Sequence, residues 1–251
     1  GALSPVGGQS SFFIDYESES NTLGGADYFI VSGNNLLSSA NDYATYRNSK
    51  GFKSLVIDVE QLYDQYSFGI RKHPMAIRNL MLQSLHEWTA APINLLLLGK
   101  SVSARDARSV GAFEVNIVPT WSVLGSDVGF TNGDVGFTTL EPALGTGRIA
   151  ASTNVQVLGY LAKIVDYESA TREQWMKNVM HFGGGSNTGE QSLFKKNLKE
   201  YEDIIEGVSF GGKVHTFLKE SSDPLQINLS DSVTKLINDG VSLLCFFGHA
   251  N

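Results

Sequence analysis

Short apolar runs alternate with stretches of helical spacing through the first part of the chain, after about residue 26. Three of these runs, Asp27–Ser32, Phe52–Val59 and Ile93–Leu98, have the length and the aliphatic content of β-strands. The stretches between them, Leu36–Lys50 and Pro74–Thr89, place apolar residues at the spacing of amphipathic helices. Alternation of strand and helix at this spacing predicts right-handed βαβ units and therefore a parallel sheet.

A second alternating set follows a helix that we predict at Asn154–Thr171. Its predicted strands and helices, in chain order, are Lys177–Phe182, Gln191–Ile205, Lys213–Leu218, Ser230–Asp239 and Val241–Phe247. The order of strands and helices is the same as in the first set, so the same argument predicts a second parallel sheet.

The remaining segments interrupt this rhythm. Val118–Val123 has the composition of a strand, but residues 125–147 are rich in Gly, Asp, Asn and Thr and predict an irregular loop. Residues 1–26 are polar and predict a leading arm outside the core, with at most a short strand at Ser11–Tyr16. We therefore predict an α/β protein with two parallel-sheet, three-layer αβα subdomains, at residues 27–174 and 175–251.

Composition limits the classes of protein to which the chain can belong. Its 251 residues are 42% hydrophobic and 18% charged, which suffices for a sizeable core and argues against a disordered chain. A net charge of −7 without a Lys/Arg stripe argues against nucleic-acid binding. The apolar runs are far shorter than the roughly 20 residues that cross a bilayer. The only cysteine, Cys245, excludes an internal disulfide and a cysteine-rich metal site.

The irregular middle segment carries oxygen-rich side chains of the kind that bind Ca²⁺. Asp127 and Asp134 are the candidate ligands, with Asn132 and Glu141 nearby in the sequence. An ordinary solvated loop accounts for the same residues. Calcium binding is therefore one of two open hypotheses for this segment.

A glycine-rich stretch at residues 183–189 follows one predicted strand and precedes a predicted helix. That context suits a phosphate-binding loop, whose backbone N–H groups lie at a helix N-terminus. A dinucleotide site also needs an acidic residue at the end of the following strand, where His215, Phe217 and Lys219 stand instead. We therefore favour an ordinary βα loop and predict no cofactor.

Gly248 and His249 follow the predicted strand Val241–Phe247. The carboxyl ends of parallel strands are where open α/β sheets place their active sites, which makes His249 a candidate catalytic base. Cys245 lies on the same strand, but the two Cα atoms are roughly 13 Å apart at a rise of about 3.3 Å per residue. The thiol and the imidazole cannot form a dyad from one straight strand, so we interpret Cys245 as a small buried apolar residue.

Several segments, taken in chain order, resemble those of a known peptidase family. They are Asp27–Val31, Tyr43–Gly51, Leu95–Gly99, Ser126-Asp127 with Gly147–Ile149, Lys163–Glu168 and Gly248-His249. The ordered set is similar to the gingipain-type cysteine peptidases from about residue 26 onward. The loop His181–Gln191 (HFGGGSNTGEQ) looks most like the PorU-like branch, the type IX secretion signal peptidases, which trim C-terminal sorting signals at the outer membrane.

The resemblance implies a caspase-like second subdomain, of which this chain holds the first half. It implies that His249 is the catalytic histidine and that the nucleophilic cysteine follows on the next strand, beyond Asn251. It also makes the backbone N–H of Ala250 a candidate for the oxyanion hole, although Ala250 replaces a common glycine. Arginine-specific members carry a glutamate in the segment that matches Phe182–Gly184, where this sequence has Gly183.

These features predict part of a secreted or cell-surface bacterial cysteine endopeptidase, with protein or peptide substrates and C-terminal sorting signals as one substrate class. Structural Ca²⁺ is the only ion that we would expect. The outer-membrane secretion machinery is one expected partner, and a second copy of the chain, through an uncovered sheet edge at Val241–Phe247, is another. The fragment alone is expected to be inactive. The alternative hypothesis is a non-catalytic α/β surface or ligand-binding module, which a cysteine at the end of the next strand would exclude.

Overall fold

The protein is described by a computed structural model, in which the described residues are 13–121, 125–133, 141–219 and 228–248. Contacts divide the chain into two compact units, residues 1–168 and 169–251. Each unit contains its own sheet, and all five strand pairs of the described residues are parallel. The predicted α/β class with two parallel sheets is confirmed.

The first unit contains a four-stranded sheet. Its elements are α1 (Tyr16–Thr22), β1 (Tyr28–Ser32), α2 (Leu37–Ser49), β2 (Ser54–Asp58), α3 (Val59–Tyr66), α4 (Met75–His86), β3 (Asn94–Leu98), α5 (Ala112–Val115), β4 (Gly145–Ile149) and α6 (Asn154–Ser169). The strand order is β2-β1-β3-β4, and Tyr28 lies opposite both Ser54 and Asn94. The three predicted strands therefore share one sheet, as the apolar runs indicated.

The two faces of this sheet bury alternate residues of its central strands. Phe29 and Val31 of β1 lie in one cluster with buried residues of α3 and α4. Ile30, between them, lies in a second cluster with buried residues of α2 and α6. A strand alternates its side chains between two faces, so burial on both faces requires helices on both. The result is a three-layer αβα unit.

The second unit contains a three-stranded sheet. Its elements are β5 (Asn178–Gly183), α7 (Thr188–Glu206), β6 (Lys213–Leu218), α8 (Asn228–Asp239) and β7 (Leu243–Phe247). The strand order is β6-β5-β7, with His181 of β5 opposite Thr216 of β6 and Cys245 of β7. β7 has one neighbouring strand among the described residues, and that neighbour is β5.

The end of the predicted leading arm belongs to the core. Residues 13–15 form no strand, and Tyr16 begins α1, whose N-terminus is capped by the Asp15 side chain. The Tyr16 ring is buried, and its hydroxyl accepts a hydrogen bond from the Asp58 N–H at 3.0 Å. A single buried aromatic residue in a polar segment gives no periodic signal, and for that reason the prediction of an arm outside the core is wrong here.

Three further expectations about the first unit are wrong. β4 occupies residues 145–149, most of which we predicted to be irregular loop. The prediction failed because the sequence GTGRI lacks an apolar run and its two glycines are exposed at the sheet edge. The described part of the predicted strand Val118–Val123 forms no strand, and only an isolated bridge joins Trp121 to Ser126. The helix α3 also begins at Val59, which we had assigned to the preceding strand.

Candidate functional site

The carboxyl ends of the three strands of the second unit lie side by side at one edge of the sheet. The Gly184 N–H donates to the Phe247 C=O at 2.9 Å, and the Lys219 N–H donates to the Gly183 C=O at 2.8 Å. These two hydrogen bonds extend the sheet just beyond the strands, and they hold together the segments where the chain leaves β5, β6 and β7. This edge is the place where parallel sheets present groups to a ligand.

Gly184 and Gly248 let the chains that leave β5 and β7 approach each other closely. A Cβ atom on Gly248 would lie 3.1 Å from the Gly184 Cα and 3.1 Å from the Phe246 ring. Contacts of that length force the neighbours to move, and one neighbour is backbone. Glycine at position 248 is therefore explained by close approach of two backbones. His249 and Ala250 lie outside the described residues, so their catalytic roles stay predictions.

Gly183 shows why a carboxylate is absent from this position of the edge. A Cβ atom on Gly183 would lie 2.6 Å from the Leu218 Cδ2 and 3.1 Å from the Cδ1 of the buried Leu198. A glutamate here would have to displace both leucine side chains. A carboxylate that orients a catalytic histidine would have to come from another position.

Cys245 lies within β7 and not at its carboxyl end. In register it is opposite His181, two residues before the Phe247–Gly183 pair. Phe247, on the same face of β7, contacts Phe194 of α7, with ring centroids 4.7 Å apart. We predicted a buried Cys245, but the structure shows it half-buried. Its place on the face toward α7 is that of a packing residue.

His181 is a buried, titratable residue of β5 whose burial the sequence did not predict. Its side chain is 1% exposed, and its Nδ1 atom has no hydrogen-bond partner among the described residues. Burial lowers the pKa of His181, and the negative charge of Glu202 partly opposes this effect. Glu202 accepts a hydrogen bond from the Thr216 hydroxyl at 3.1 Å, beside His181 on the same face. A lone histidine in an apolar strand carries no motif that would reveal this.

The glycine-rich loop before α7 is closed by its own side chains. The Asn187 Oδ1 accepts a hydrogen bond from the Glu190 N–H at 3.0 Å, and the Glu190 Oε2 accepts one from the Ser186 N–H at 2.8 Å. This pair resembles a capping box, with the Glu190 carboxylate bonding the residue before the N-cap Asn187. Because it places a carboxylate at the helix N-terminus, it opposes phosphate binding there and favours an ordinary βα loop.

Asp127, a candidate calcium ligand, is the partner of a largely buried arginine. The Asp127 Oδ2 accepts from Arg148 Nε at 2.7 Å, and its Oδ1 accepts from Arg148 Nη2 at 2.8 Å and from the Thr120 hydroxyl at 2.9 Å. This bonding disfavours Asp127 as a metal ligand. Asp134 lies outside the described residues. Among the residues that the structure describes, no group of three His, Cys, Asp or Glu side chains is arranged to hold a metal.

The remaining N–H groups of Arg148 hold the loop that follows β3. Its Nη1 donates to the carbonyl oxygens of Gly99 and Val118, each at 2.8 Å, and its Nη2 donates to that of Pro119 at 3.0 Å. Arg148 thus ties the edge strand β4 to both ends of the segment 99–119. Its role in the described structure is to position this loop.

Comparison with known proteins gives one family and several similar structures. The model of peptidase family C25 matches residues 21–251. The complex of the pro- and mature domains of RgpB from Porphyromonas gingivalis is 17% identical, with a TM-score of 0.60 over 89% of this chain and 48% of that chain. The Arg-specific cysteine proteinase gingipain R (RgpB) is 15% identical, with a TM-score of 0.59 over 89% of this chain and 47% of that one.

A third structure, dimeric latent PorU from Porphyromonas gingivalis, is 19% identical over 66% of this chain and 20% of that chain. Its TM-score of 0.44 is too low to support an argument. A comparison with curated proteins found no match. The chain therefore spans about half the length of the two RgpB structures, covering 48% and 47% of them, and their low identity shows a shared fold alone.

Proposed function

The chain belongs to peptidase family C25, and from this premise we propose that it is the first part of the catalytic region of a cysteine endopeptidase. The observation that carries the proposal is the carboxyl edge of the second sheet. There Gly184 and Gly248 bring the exits of β5 and β7 into contact, immediately before His249 in the sequence. A histidine that follows this strand is well situated to act on a substrate at the edge.

In the proposed reaction, His249 accepts the proton of a cysteine thiol, and the thiolate sulfur attacks the carbonyl carbon of a peptide bond. The oxyanion of the tetrahedral intermediate accepts hydrogen bonds from backbone N–H groups, for which Ala250 is the candidate. His249 then donates its proton to the leaving amine. A water molecule, deprotonated by His249, hydrolyses the thioester and releases the acid product.

We place the nucleophile outside the chain described here. Cys245 lies opposite His181 in the middle of the sheet, on the face toward α7, and roughly 13 Å of strand would separate its Cα from that of His249. This chain covers 48% of the length of the matched RgpB chain, and we propose that a longer protein carries the nucleophilic cysteine after Asn251. The leucine contacts at Gly183 disfavour a carboxylate at that position, so we write the proposed catalytic unit as a Cys–His dyad.

We further propose that the whole protein is secreted or exposed on the bacterial cell surface, where its substrates are polypeptides. The loop His181–Gln191 supports the narrower proposal that it removes C-terminal sorting signals and works beside the outer-membrane secretion machinery. Within the described ranges, no helix combines the length and the hydropathy needed to cross a bilayer.

The proposal is tested by assaying unstructured peptides with this 251-residue chain and with a longer protein that continues past Asn251. We expect the longer protein to hydrolyse them and the 251-residue chain to be inactive. In the longer protein, His249→Ala should lower turnover by at least about a thousandfold, whereas the matched variant His215→Ala should not. Absence of hydrolysis by the longer protein would favour the non-catalytic module. Hydrolysis by the 251-residue chain would contradict the downstream nucleophile.

A further inference from the structure

The first unit contains a cavity of about 530 Å³ at the beginning of α4, which the proposed peptidase reaction does not use. Its lining is mostly apolar and includes Pro74, Met75, Val102, Ala104, Pro119 and Trp121. The volume lies within the range of sites for small organic ligands. All the described lining residues belong to this unit.

Trp121 forms a rigid aromatic wall of this cavity. The Arg78 guanidinium carbon lies 5.3 Å from the centroid of the indole ring, and the Phe130 ring meets it edge-on at 6.0 Å. Gly129 packs so closely that a Cβ atom there would overlap the indole. Because three neighbours already hold the ring, a ligand that packs on Trp121 does not have to order it.

The charged groups around the cavity favour an anion. Lys72 and Arg108 line it, and the described lining contains no Asp or Glu. Glu60 is the carboxylate that pairs with Lys72, at 3.3 Å, but it also pairs with Arg71 at 3.0 Å. One carboxylate is therefore shared by two cations, which leaves a net positive charge on this side of the cavity, although the net charge of the chain is −7.

His73 adds a hydrogen-bond donor to the lining. Its Nδ1 accepts a hydrogen bond from the Met75 N–H at 3.2 Å, so the neutral ring carries its proton on Nε2. Met75 is the first residue of the twelve-residue helix α4, whose N-terminal end attracts negative charge. Lys72 has a φ of 61°, a left-handed conformation that is uncommon outside glycine and is found at binding sites more often than elsewhere.

We propose that this cavity binds a carboxylate that is attached to an apolar group of the size of one aromatic or branched side chain. The apolar group packs against Trp121 and Met75, and the carboxylate accepts hydrogen bonds from Arg108 and His73. A free acid and the C-terminal residue of a peptide share this chemistry. The proposal is independent of the peptidase reaction, because none of these residues lies at the edge of the second sheet.

Isothermal titration calorimetry of the 251-residue chain tests this proposal, with N-acetyl-L-phenylalanine as the probe and N-acetyl-L-phenylalaninamide as its uncharged control. We expect the acid to bind saturably with one site per chain and the amide to bind at least about tenfold more weakly. Added salt should weaken the binding of the acid. Absence of saturable binding, or equal binding of acid and amide, would overturn the proposal.

Two arginine variants locate the site. Arg108→Gln should weaken the binding of the acid at least about tenfold, whereas Arg105→Gln, an exposed residue of the same segment outside the cavity lining, should leave it unchanged. Both variants should unfold thermally at the wild-type temperature, which separates lost binding from lost folding. Equal affinity of the two variants would contradict the assignment to this cavity.

A peptide that ends in phenylalanine distinguishes the two sources of the carboxylate. Tighter binding of N-acetyl-Gly-Gly-Phe than of N-acetyl-L-phenylalanine identifies a peptide C-terminus as the ligand, since additional contacts then involve the preceding residues. Equal or weaker binding of the peptide identifies a free acid. In both cases the cavity binds the shared carboxylate, so Arg108→Gln should weaken the binding of the peptide and of the free acid alike.

Discussion

Arg148 donates from one guanidinium to a carboxylate and to three backbone carbonyl groups. Arg148→Ala would leave the Asp127 carboxylate without its partner and would remove the donors of all three carbonyl groups. We expect a loss of about 3–5 kcal/mol in the free energy of unfolding, measured by urea denaturation followed by tryptophan fluorescence. The exposed Arg105→Ala should change it by less than about 0.5 kcal/mol. Equal effects of the two variants would contradict the role of Arg148.

His181 makes the second unit sensitive to acid. Burial places the pKa of His181 below that of the unfolded chain, so on acidification the unfolded state takes up protons first. The free energy of unfolding should therefore be highest above pH 7 and should fall as the pH is lowered through 6.5. The groups that face His181 are Glu202 on α7, Thr216 on β6 and Cys245 on β7.

The measurement is urea unfolding at pH 7.5 and pH 5.0, followed by circular dichroism. His181→Leu, which removes the titrating group and its unpaired Nδ1, should reduce the difference between the two pH values. His215→Gln, whose side chain lies on the other face of the sheet, should keep the wild-type difference. An unchanged difference in His181→Leu would show that other groups cause the acid sensitivity.

Single residues were also where prediction from sequence was weakest. Asp127 looked like a calcium ligand because a carboxylate in a polar loop is compatible with a metal or with an ion pair. Its actual partner, Arg148, lies 21 residues later on an edge strand that the apolar pattern did not reveal. The burial of His181 and the need for glycine at position 183 follow from the register of β5 with its neighbouring strands and from the helix that packs on it. Neither could be predicted from the local sequence.

The helices α2 and α6 are joined by a charged contact at their C-terminal ends. The Glu168 carboxylate accepts hydrogen bonds from the Tyr46 hydroxyl at 2.7 Å and from Arg47 Nη1 at 2.8 Å. Burial alone would raise the pKa of Glu168, but these hydrogen bonds outweigh it and lower the pKa. A lowered pKa means that the contact stabilises the fold above the ordinary glutamate range and loses this effect as the pH falls below it.

Glu168→Gln should therefore lower the free energy of unfolding by about 1 kcal/mol at pH 7 and have a smaller effect at pH 3.5. Chemical denaturation at the two pH values measures this difference. The exposed Glu173→Gln is the matched control, for which we expect no effect at either pH. A Glu168→Gln effect that grows as the pH falls would have the wrong sign and would refute the account of this contact.

Among the described residues β7 is an edge strand, and it exposes apolar side chains, with Leu244 at 53% and Phe246 at 56% exposure. An edge strand also offers unpaired backbone groups to another chain, so we predict that the 251-residue chain associates with itself through β7. Leu244→Lys should reduce the association that multi-angle light scattering detects at high protein concentration. Val208→Lys, which changes an exposed valine of a loop, should not. A wild-type chain that stays monomeric at high concentration would contradict this prediction.

Strands and helices with a continuous apolar or amphipathic pattern were predictable. The six predicted strands form two parallel sheets. In β1 and β3 the central residues are buried on both faces, which leaves an uninterrupted apolar run in the sequence. β4 was missed because its glycines and Arg148 face solvent or a polar loop at the sheet edge. The helix α1 was missed because one buried face of a seven-residue helix is too short a pattern.

At the scale of the whole molecule, the segments that resemble the family are joined by contacts in the first unit. Tyr46 and Arg47, in the segment Tyr43–Gly51, bond Glu168 at the end of the segment Lys163–Glu168. Asp127 and Arg148 likewise join the segments that contain them. These contacts hold helices and loops that lie far apart in the sequence. The resemblance in the first unit therefore rests mainly on residues that stabilise the fold. Of the segments that resemble the family, only Gly248-His249, in the second unit, indicates catalytic chemistry.

The account of function depends on which cysteine His249 activates, and limited alkylation tests this most directly. A protein that continues past Asn251 is treated with iodoacetamide below one equivalent, and the modified cysteine is identified by mass spectrometry while peptide hydrolysis is followed. We predict modification of a cysteine after residue 251 in step with the loss of hydrolysis, and much slower modification of that cysteine in His249→Ala. Modification of Cys245 in step with the loss of hydrolysis, or an unchanged rate in His249→Ala, would contradict the account.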